Sequence, residues 1–258
     1  MNTLAIIIYL AQLFGGTDTN PPTAESLKGL AKSALSRVEA MRGQKLTKPL
    51  KMGVKNRDQI LVFIKGRLAE EYGAARVTAE GDLLRLQGLL PPNLDYGRFV
   101  TRLLAEQVAG FYDHTRKELH IANWIPAVVQ APVLAHEIFH AIQDQEWGGG
   151  ALIDSKKYRH DEVLAHAALL EGDATVVMFN YAQPANGGTD ISQSPMMAKM
   201  IAASIPLQMS GSQFPILASA PEYMKQALVF PYLQGFLFIA ALRQSGLTWE
   251  QMRDVYRN

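Results

Sequence analysis

Three polar side chains interrupt the apolar helical pattern that runs over residues 133–142. They are His136, Glu137 and His140, and all their neighbours in this run are apolar. Buried polar groups without partners cost about 1 to 3 kcal/mol each, and unpaired charges cost more. Such a helix fits a protein core only if these side chains share a partner, and the pattern indicates a bound metal ion. The alternative is a pair of core histidines satisfied by ordinary hydrogen bonds.

The spacing within this motif gives the glutamate a different role from the histidines. Residues four apart on a helix lie about 40° apart around its axis, so the imidazoles of His136 and His140 can bind one ion. Glu137 projects about 100° away from His136, which lets it reach a water activated by the ion but places it poorly as a third ligand. The spacing therefore predicts two histidine ligands and Glu137 as a general base.

A catalytic zinc usually takes three protein ligands, so a third is expected further along the chain. The chain has no cysteine, which leaves imidazole and carboxylate groups to bind a metal. Glu171 lies in an otherwise apolar, alanine-rich helical pattern, where an ionised carboxylate is costly unless a cation lies opposite it. Gly172 beside it would let a second helix approach closely. We therefore expect one Zn²⁺ per chain, held by His136, His140 and Glu171.

Other polar residues near Glu171 are candidates for the third ligand or for supporting roles. The rival ligands are Glu162, His160, His166 and Asp173. His166 and Asp173 face away from Glu171 on the same predicted helix. Metal-bound histidines usually donate their second ring N–H to a carboxylate or a carbonyl. Asp173 is predicted to fill that role or to contact neighbouring backbone, and Asp144, one turn after His140, is the other candidate for the same role.

Four sequence motifs contain or flank these residues. They are GFYD at residues 110–113, HEIFHAIQDQ at 136–145, ALLEGDA at 168–174 and FPYLQG at 230–235. Together they resemble the gluzincin type of zinc metallopeptidase, and within it a poorly characterised group of small bacterial proteins, over about residues 45–256. The resemblance implies a zincin core with Glu137 as base and Glu171 as ligand. Such proteins tend to continue beyond the position of Tyr256, so it also implies that a C-terminal part of the substrate cleft is absent from this chain.

The same resemblance implies which residues bind substrate. In a zincin core, an edge strand beside the metal-binding helix aligns an extended peptide, and residues 118–122 are the segment in that position. The expected substrate-binding residues are Leu119, His120 and Ile121. Zincins often use a Tyr or His to stabilise the oxyanion, and Tyr232, between Pro231 and Gly235, is our choice. Comparable candidates are Tyr158, His160 and Tyr181.

The hydrophobic patterns predict an α+β fold that is predominantly helical, with a small β-hairpin or sheet beside the metal-binding helix of a zincin-like core. Strands are predicted at residues 50–54, 110–113 and 118–122, the last two joined by a turn. Helices are predicted at residues 23–41, from 56 or 58 to 73, at 82–90, 95–108, 132–147, 161–181, 194–209 and 221–243, with a last short helix from 248. We expect one catalytic domain over residues 21–258, of which 21–94 form a helical N-terminal part and 95–258 carry the metal site.

The N-terminal residues 1–20 are expected to be a signal, an anchor or a buried N-terminal segment. Residues 1–14 have the length of a signal-peptide core, but no Lys or Arg occurs before Lys28. They are too short to span a bilayer, which takes about 20 apolar residues. The protein is expected to be exported or membrane-associated if residues 1–16 act as a signal, and cytoplasmic otherwise. No other segment is predicted to cross a membrane.

The net charge of +1 gives no basic excess of the kind that nucleic-acid binding requires. The sequence predicts a zinc-dependent hydrolase that cleaves peptide bonds in a peptide or protein substrate. The alternative is a zinc-binding, non-catalytic or regulatory protein whose cleft is blocked by residues 183–194 or by the chain's own terminus. A third hypothesis, a membrane protease, would allow anchoring only through residues 1–14.

Overall fold

The computed structural model describes residues 23–124, 127–184, 188–209 and 214–257. In these ranges the helices are α1 Ala24–Arg42, α2 Arg57–Glu71, α3 Gly73–Leu86, α4 Tyr96–Gln107, α5 Ala127–Trp147, α6 Gly149–Leu152, α7 His160–Ala182, α8 Pro195–Met209, α9 Pro215–Ala218, α10 Glu222–Gln244 and α11 Met252–Val255. The strands are β1 Lys51–Lys55, β2 Gly110–Asp113 and β3 Glu118–Ala122. The predicted α+β, predominantly helical class is confirmed. The predicted signal or anchor lies outside the described residues.

Local sequence signals define the two ends of α1. The side-chain oxygen of Thr23 accepts a hydrogen bond from the backbone N–H of Ser26, which satisfies a donor that the first helical turn leaves unpaired. Gly43 ends the helix in the left-handed conformation, with φ at 65°. Arg42 is therefore the last residue of α1, and its side chain turns into the core instead of into solvent.

The three strands form one small sheet in the order β1, β3, β2. β1 runs parallel to β3, and β2 forms the predicted antiparallel hairpin with it. The expectation that β3 is an edge strand is wrong, because β1 covers the side of β3 that the hairpin leaves open. A strand paired on both sides has no free backbone groups with which to align a peptide. Leu119, His120 and Ile121 therefore cannot bind substrate in the predicted way.

The side chains of β3 also pack against the rest of the fold. Leu119 and Ile121 are buried in the core. The ring of His120 packs on Phe111, with 5.1 Å between centroids, and lies against Gly53 of β1. β2 is the edge strand next to α5, so it has the position that the sequence analysis assigned to β3.

Helices α7 and α10 cross at a pair of glycines. A Cβ atom on Gly172 would overlap the backbone of Gly235, and one on Gly235 would overlap the carbonyl of Ala168. The close approach predicted from Gly172 is therefore confirmed, and the partner helix is α10. This crossing fixes α10 directly behind Glu171.

Helix boundaries differ from the predicted ones where packing or a glycine decides them. α3 begins at Gly73, nine residues before the predicted start, because Gly73 adopts a φ of 70° that ends α2 and turns the chain directly into the next helix. α5 begins five residues before the predicted start and includes Pro132. The added residues Val129 and Gln130 are buried, so core packing outweighs the helix-breaking tendency of proline.

Among the described helices, α10 is the one whose length and apolar composition would allow it to cross a membrane. A core helix of a soluble protein has the same properties. Phe236 and Ile239 are wholly buried within this fold, and the helix crosses α7 at Gly235. These contacts account for the apolar character of its inner face.

Candidate metal centre

Helices α5 and α7 bring the three predicted ligands together. The two Nε2 atoms of His136 and His140 are 2.9 Å apart. Oε2 of Glu171 lies 3.2 Å from Nε2 of His136 and 3.4 Å from Nε2 of His140. Of the residues that the structure describes, these form the one group of three His, Asp or Glu side chains whose ligand atoms all lie within 4.8 Å of one another. The predicted convergence of His136, His140 and Glu171 is confirmed.

The triangle of ligand atoms has the right size for a metal ion. Its sides of 2.9 to 3.4 Å allow one point to lie about 2.0 to 2.1 Å from all three atoms, the usual distance from a metal to a histidine nitrogen or carboxylate oxygen. All three side chains are buried, so water cannot solvate these two imidazoles and this carboxylate. The group could therefore bind a metal ion.

The ligands carry opposite charges in the absence of an ion. Burial opposes the charged form of His140, but the Glu171 carboxylate outweighs burial and raises the pKa of His140 to about 9. For Glu171, burial is outweighed by His140 and His136, and its pKa falls to about 2. Burial, together with the charge on His140, lowers the pKa of His136 to about 4. At neutral pH, His140 therefore carries the proton that an ion must displace.

This proton gives metal binding a defined pH dependence. Because the pKa of His140 is raised above neutrality, binding an ion at pH 7 to 8 releases at least one proton, and affinity should rise about tenfold per pH unit in this range. The increase should level off as the pH rises past about 9, because His140 loses its proton there. Dissociation constants for zinc measured by chelator competition from pH 6.5 to 10 check this. A pH-independent affinity between pH 7 and 8 would contradict a protonated His140.

Glu137 is wholly buried beside the ligands, and neither of its carboxylate oxygens is hydrogen-bonded to another described side chain. Burial raises its pKa to about 8, and Glu171 adds to this rise. His140 and the backbone N–H of Tyr112 in β2 act to lower the pKa of Glu137. A carboxyl group with a pKa near neutrality can both take up and release a proton.

Tyr232 lies next to the ligands, on α10. Its ring centroid is 6.4 Å from that of His136, and the two rings are nearly parallel. The other candidates for an oxyanion donor lie elsewhere. Tyr158 and His160 line a separate cavity of about 420 Å³ that contains none of the ligands, and Tyr181 stacks on Arg37.

The two carboxylates predicted to orient the histidines do not contact them directly. Asp144 accepts hydrogen bonds from the Tyr112 hydroxyl at 2.8 Å and from Lys117 Nζ at 2.5 Å. Asp173 accepts hydrogen bonds from Arg42 and from the hydroxyl of Tyr256. Both predictions of a direct contact are therefore wrong, because nearer donors occupy these carboxylates.

The group that orients His140 is Gln143, which the sequence analysis did not identify. Its Oε1 lies 2.7 Å from Nδ1 of His140, while its Nε2 donates to the carbonyl of Leu170 and the hydroxyl of Tyr256, both at 2.9 Å. One sequence signal was available, because Gln143 is polar and lies three residues after His140 on the same helical face. Tyr256 is distant in sequence, and no local pattern indicates its contact with Gln143.

A small cavity gives access to the ligands. Its volume is about 30 Å³, and it reaches His140 and Glu171. The other side chains that line it include Tyr112, His114, Asp144, Ile153, Ala167 and Leu170. Of the residues predicted to block the cleft, those that the structure describes do not line it. The described part of residues 183–194 packs near Asn180, and Tyr256 lies behind His140, against Gln143.

No family model, curated protein or solved structure matches this chain.

Proposed function

We propose that the chain is a zinc-dependent hydrolase that cleaves peptide bonds, with His136, His140 and Glu171 as ligands and Glu137 as general base. The observation that carries the proposal is the Glu137 carboxylate, which is buried beside three converging ligand atoms and not hydrogen-bonded to another described side chain. A centre that only stores or is stabilised by a metal has no need of such a group. A centre that activates water does.

Zinc is the proposed ion because two imidazoles and one carboxylate are a common ligand set for catalytic zinc, with a fourth position left for water or substrate. When bound, the ion would supply Lewis acidity that polarises the scissile carbonyl and lowers the pKa of a water towards about 7. The arrangement also supports a zincin-like core of the gluzincin type, since α5 carries both histidines, α7 carries the glutamate and the antiparallel edge strand β2 lies beside α5.

The protein's own residues would transfer the proton and stabilise the oxyanion. Glu137 would take the proton from the attacking water and deliver it to the leaving amine. Tyr232 is the proposed donor to the oxyanion, because its ring lies beside His136.

The replacement Glu137→Gln tests the general base. It keeps the size of the side chain but removes its basicity, so hydrolysis should fall by about 10²- to 10⁴-fold while zinc stoichiometry stays at that of the wild type. Zinc is measured by elemental analysis, and hydrolysis by mass spectrometry of a mixed peptide library. Glu146→Gln, at an exposed site on the same helix, is the matched control and should leave both unchanged. Equal hydrolysis by Glu137→Gln and wild type would remove Glu137 from the mechanism.

A second candidate function is a zinc-binding protein without turnover. The confined site favours it, because the cavity at the ligands has a volume of only about 30 Å³ and Glu137 has no exposed surface. Wild-type protein that binds one zinc but cleaves nothing in the peptide library would support this candidate over the hydrolase.

A further inference from the structure

A buried ion pair begins a chain of hydrogen bonds that leads to His140. Nη1 and Nη2 of Arg42 donate to the two carboxylate oxygens of Asp173, at 2.5 and 2.8 Å, and both side chains are almost wholly buried. The guanidinium of Arg42 also lies over the rings of Phe139 and Trp249. Because a guanidinium only donates, both carboxylate oxygens of Asp173 act as acceptors.

The fixed charge of Asp173 determines the direction of the next two hydrogen bonds. The Tyr256 hydroxyl lies 2.7 Å from Oδ2 of Asp173 and has to donate to it. The hydroxyl oxygen is then left to accept a hydrogen bond, and it receives one from the side-chain NH₂ of Gln143 at 2.9 Å. The carbonyl of Leu170, which also only accepts, takes the second hydrogen of the same NH₂ group.

These two acceptors fix the orientation of the Gln143 amide. If the amide were flipped, its oxygen would face two atoms that offer it no hydrogen, the Leu170 carbonyl oxygen and the hydroxyl of Tyr256 that donates to Asp173, and it would be a buried acceptor without a donor. Oε1 of Gln143 therefore points at Nδ1 of His140, 2.7 Å away. An amide oxygen only accepts, so Nδ1 has to carry the proton.

We propose that Gln143, held by Tyr256 and Leu170, is a positioning residue that selects which nitrogen of His140 binds the ion. It keeps the proton on Nδ1 and leaves the lone pair on Nε2, the atom that faces His136 and Glu171. The directions of the hydrogen bonds that lead to this choice are set by Arg42, which lies on α1, a helix that supplies no ligand. The inference rests on the proposed metal centre, but it does not depend on catalysis.

Nitrogen NMR on histidine-labelled, zinc-loaded wild type tests the selection directly. His140 should show a protonated, pyrrole-type Nδ1 with a slowly exchanging hydrogen, and a metal-bound Nε2. Binding through Nδ1 would overturn the proposal. In metal-free protein, the neutral form of His140 should show the same Nδ1–H tautomer, and this measurement is made without zinc.

Two replacements of Gln143 separate positioning from a merely structural role. Gln143→Leu removes the acceptor and both donors, and zinc affinity should fall by about 10- to 100-fold. Gln143→Glu keeps an acceptor for Nδ1–H but loses both donor bonds, so it should bind zinc more tightly than Gln143→Leu while its metal-free form unfolds at a lower temperature than wild type. If Gln143→Glu binds zinc no better than Gln143→Leu, or if Gln143→Leu binds as tightly as wild type, Gln143 does not position the ligand.

Tyr256→Phe is the milder variant if the replacements at Gln143 do not fold. It keeps the ring stacked on Trp147 and the bond from Gln143 to Leu170, so its loss of zinc affinity should be smaller than that of Gln143→Leu. The outcomes also separate this inference from the proposed function. Zinc binding with the expected tautomer but no peptide cleavage rejects the hydrolase and leaves the inference standing, whereas wild type that binds no zinc rejects both.

Discussion

Gly172→Ala should destabilise the protein by about 3 kcal/mol or more, at or above the upper end of the usual cost of overpacking a core. The added methyl group would overlap the backbone of Gly235, which is part of α10 and cannot move aside as a side chain would. The two helices would have to separate beside Glu171. Total stabilities of about 5 to 15 kcal/mol are usual for folded proteins, so the loss is a large fraction of the whole.

Chemical denaturation with urea measures this change in the free energy of unfolding. Gly235→Ala should have a comparable effect, since its methyl group would overlap the carbonyl of Ala168. The matched control is Gly29→Ala in α1, where an added Cβ has no neighbour within 4 Å. That change should stabilise the protein by about 0.5 to 1 kcal/mol through helix propensity. A Gly172→Ala protein as stable as wild type would show that α7 and α10 do not cross in this way.

Glu171→Ala should lower zinc affinity by more than about 100-fold, since it removes a ligand and not merely one of the outer groups whose loss costs about 10- to 100-fold. It also removes the only ligand that carries negative charge, so two imidazoles would be left to hold a dication. The same change should be visible without any metal. The pKa of His140 should fall from about 9, because burial then acts without the opposing Glu171 carboxylate.

Zinc competition assays and an NMR titration of His140 provide the two measurements. Glu146→Ala removes a glutamate from an exposed position of α5 and is the control for the loss of one negative charge. It should change neither the zinc affinity nor the pKa of His140 appreciably. Retention of stoichiometric, tight zinc binding in Glu171→Ala would mean that another residue is the third ligand, and would reject the centre described above.

The ligands could be predicted from sequence because their physical signal is local. His136 and His140 share a helical face by spacing alone, and Glu171 is conspicuous as a carboxylate in an apolar helix. Gly172 marked a close helix approach in the same way. The predominantly helical fold and the hairpin followed from periodicity and turn composition, which also depend on neighbouring residues.

The errors concern contacts between distant parts of the chain. Nothing in the sequence of β3 shows that β1, more than 60 residues earlier, pairs with its second edge, so the hairpin alone predicts that this edge is free. Asp173 was correctly seen as a polar residue that needs a partner, but its partners Arg42 and Tyr256 lie 131 and 83 residues away. Sequence spacing can show that such a group requires a partner without showing which one.

The sequence separations within the centre also imply an order of assembly. His136 and His140 are a single helical turn apart, so they can approach each other as soon as α5 forms, whereas Glu171 reaches them only after a loop of about 30 residues has closed. The bond from Gln143 to Tyr256 spans 113 residues, and contacts of that range form slowly because chain entropy opposes them. A growing or refolding chain therefore has a two-histidine site for an ion well before it has the third ligand and the groups that orient them.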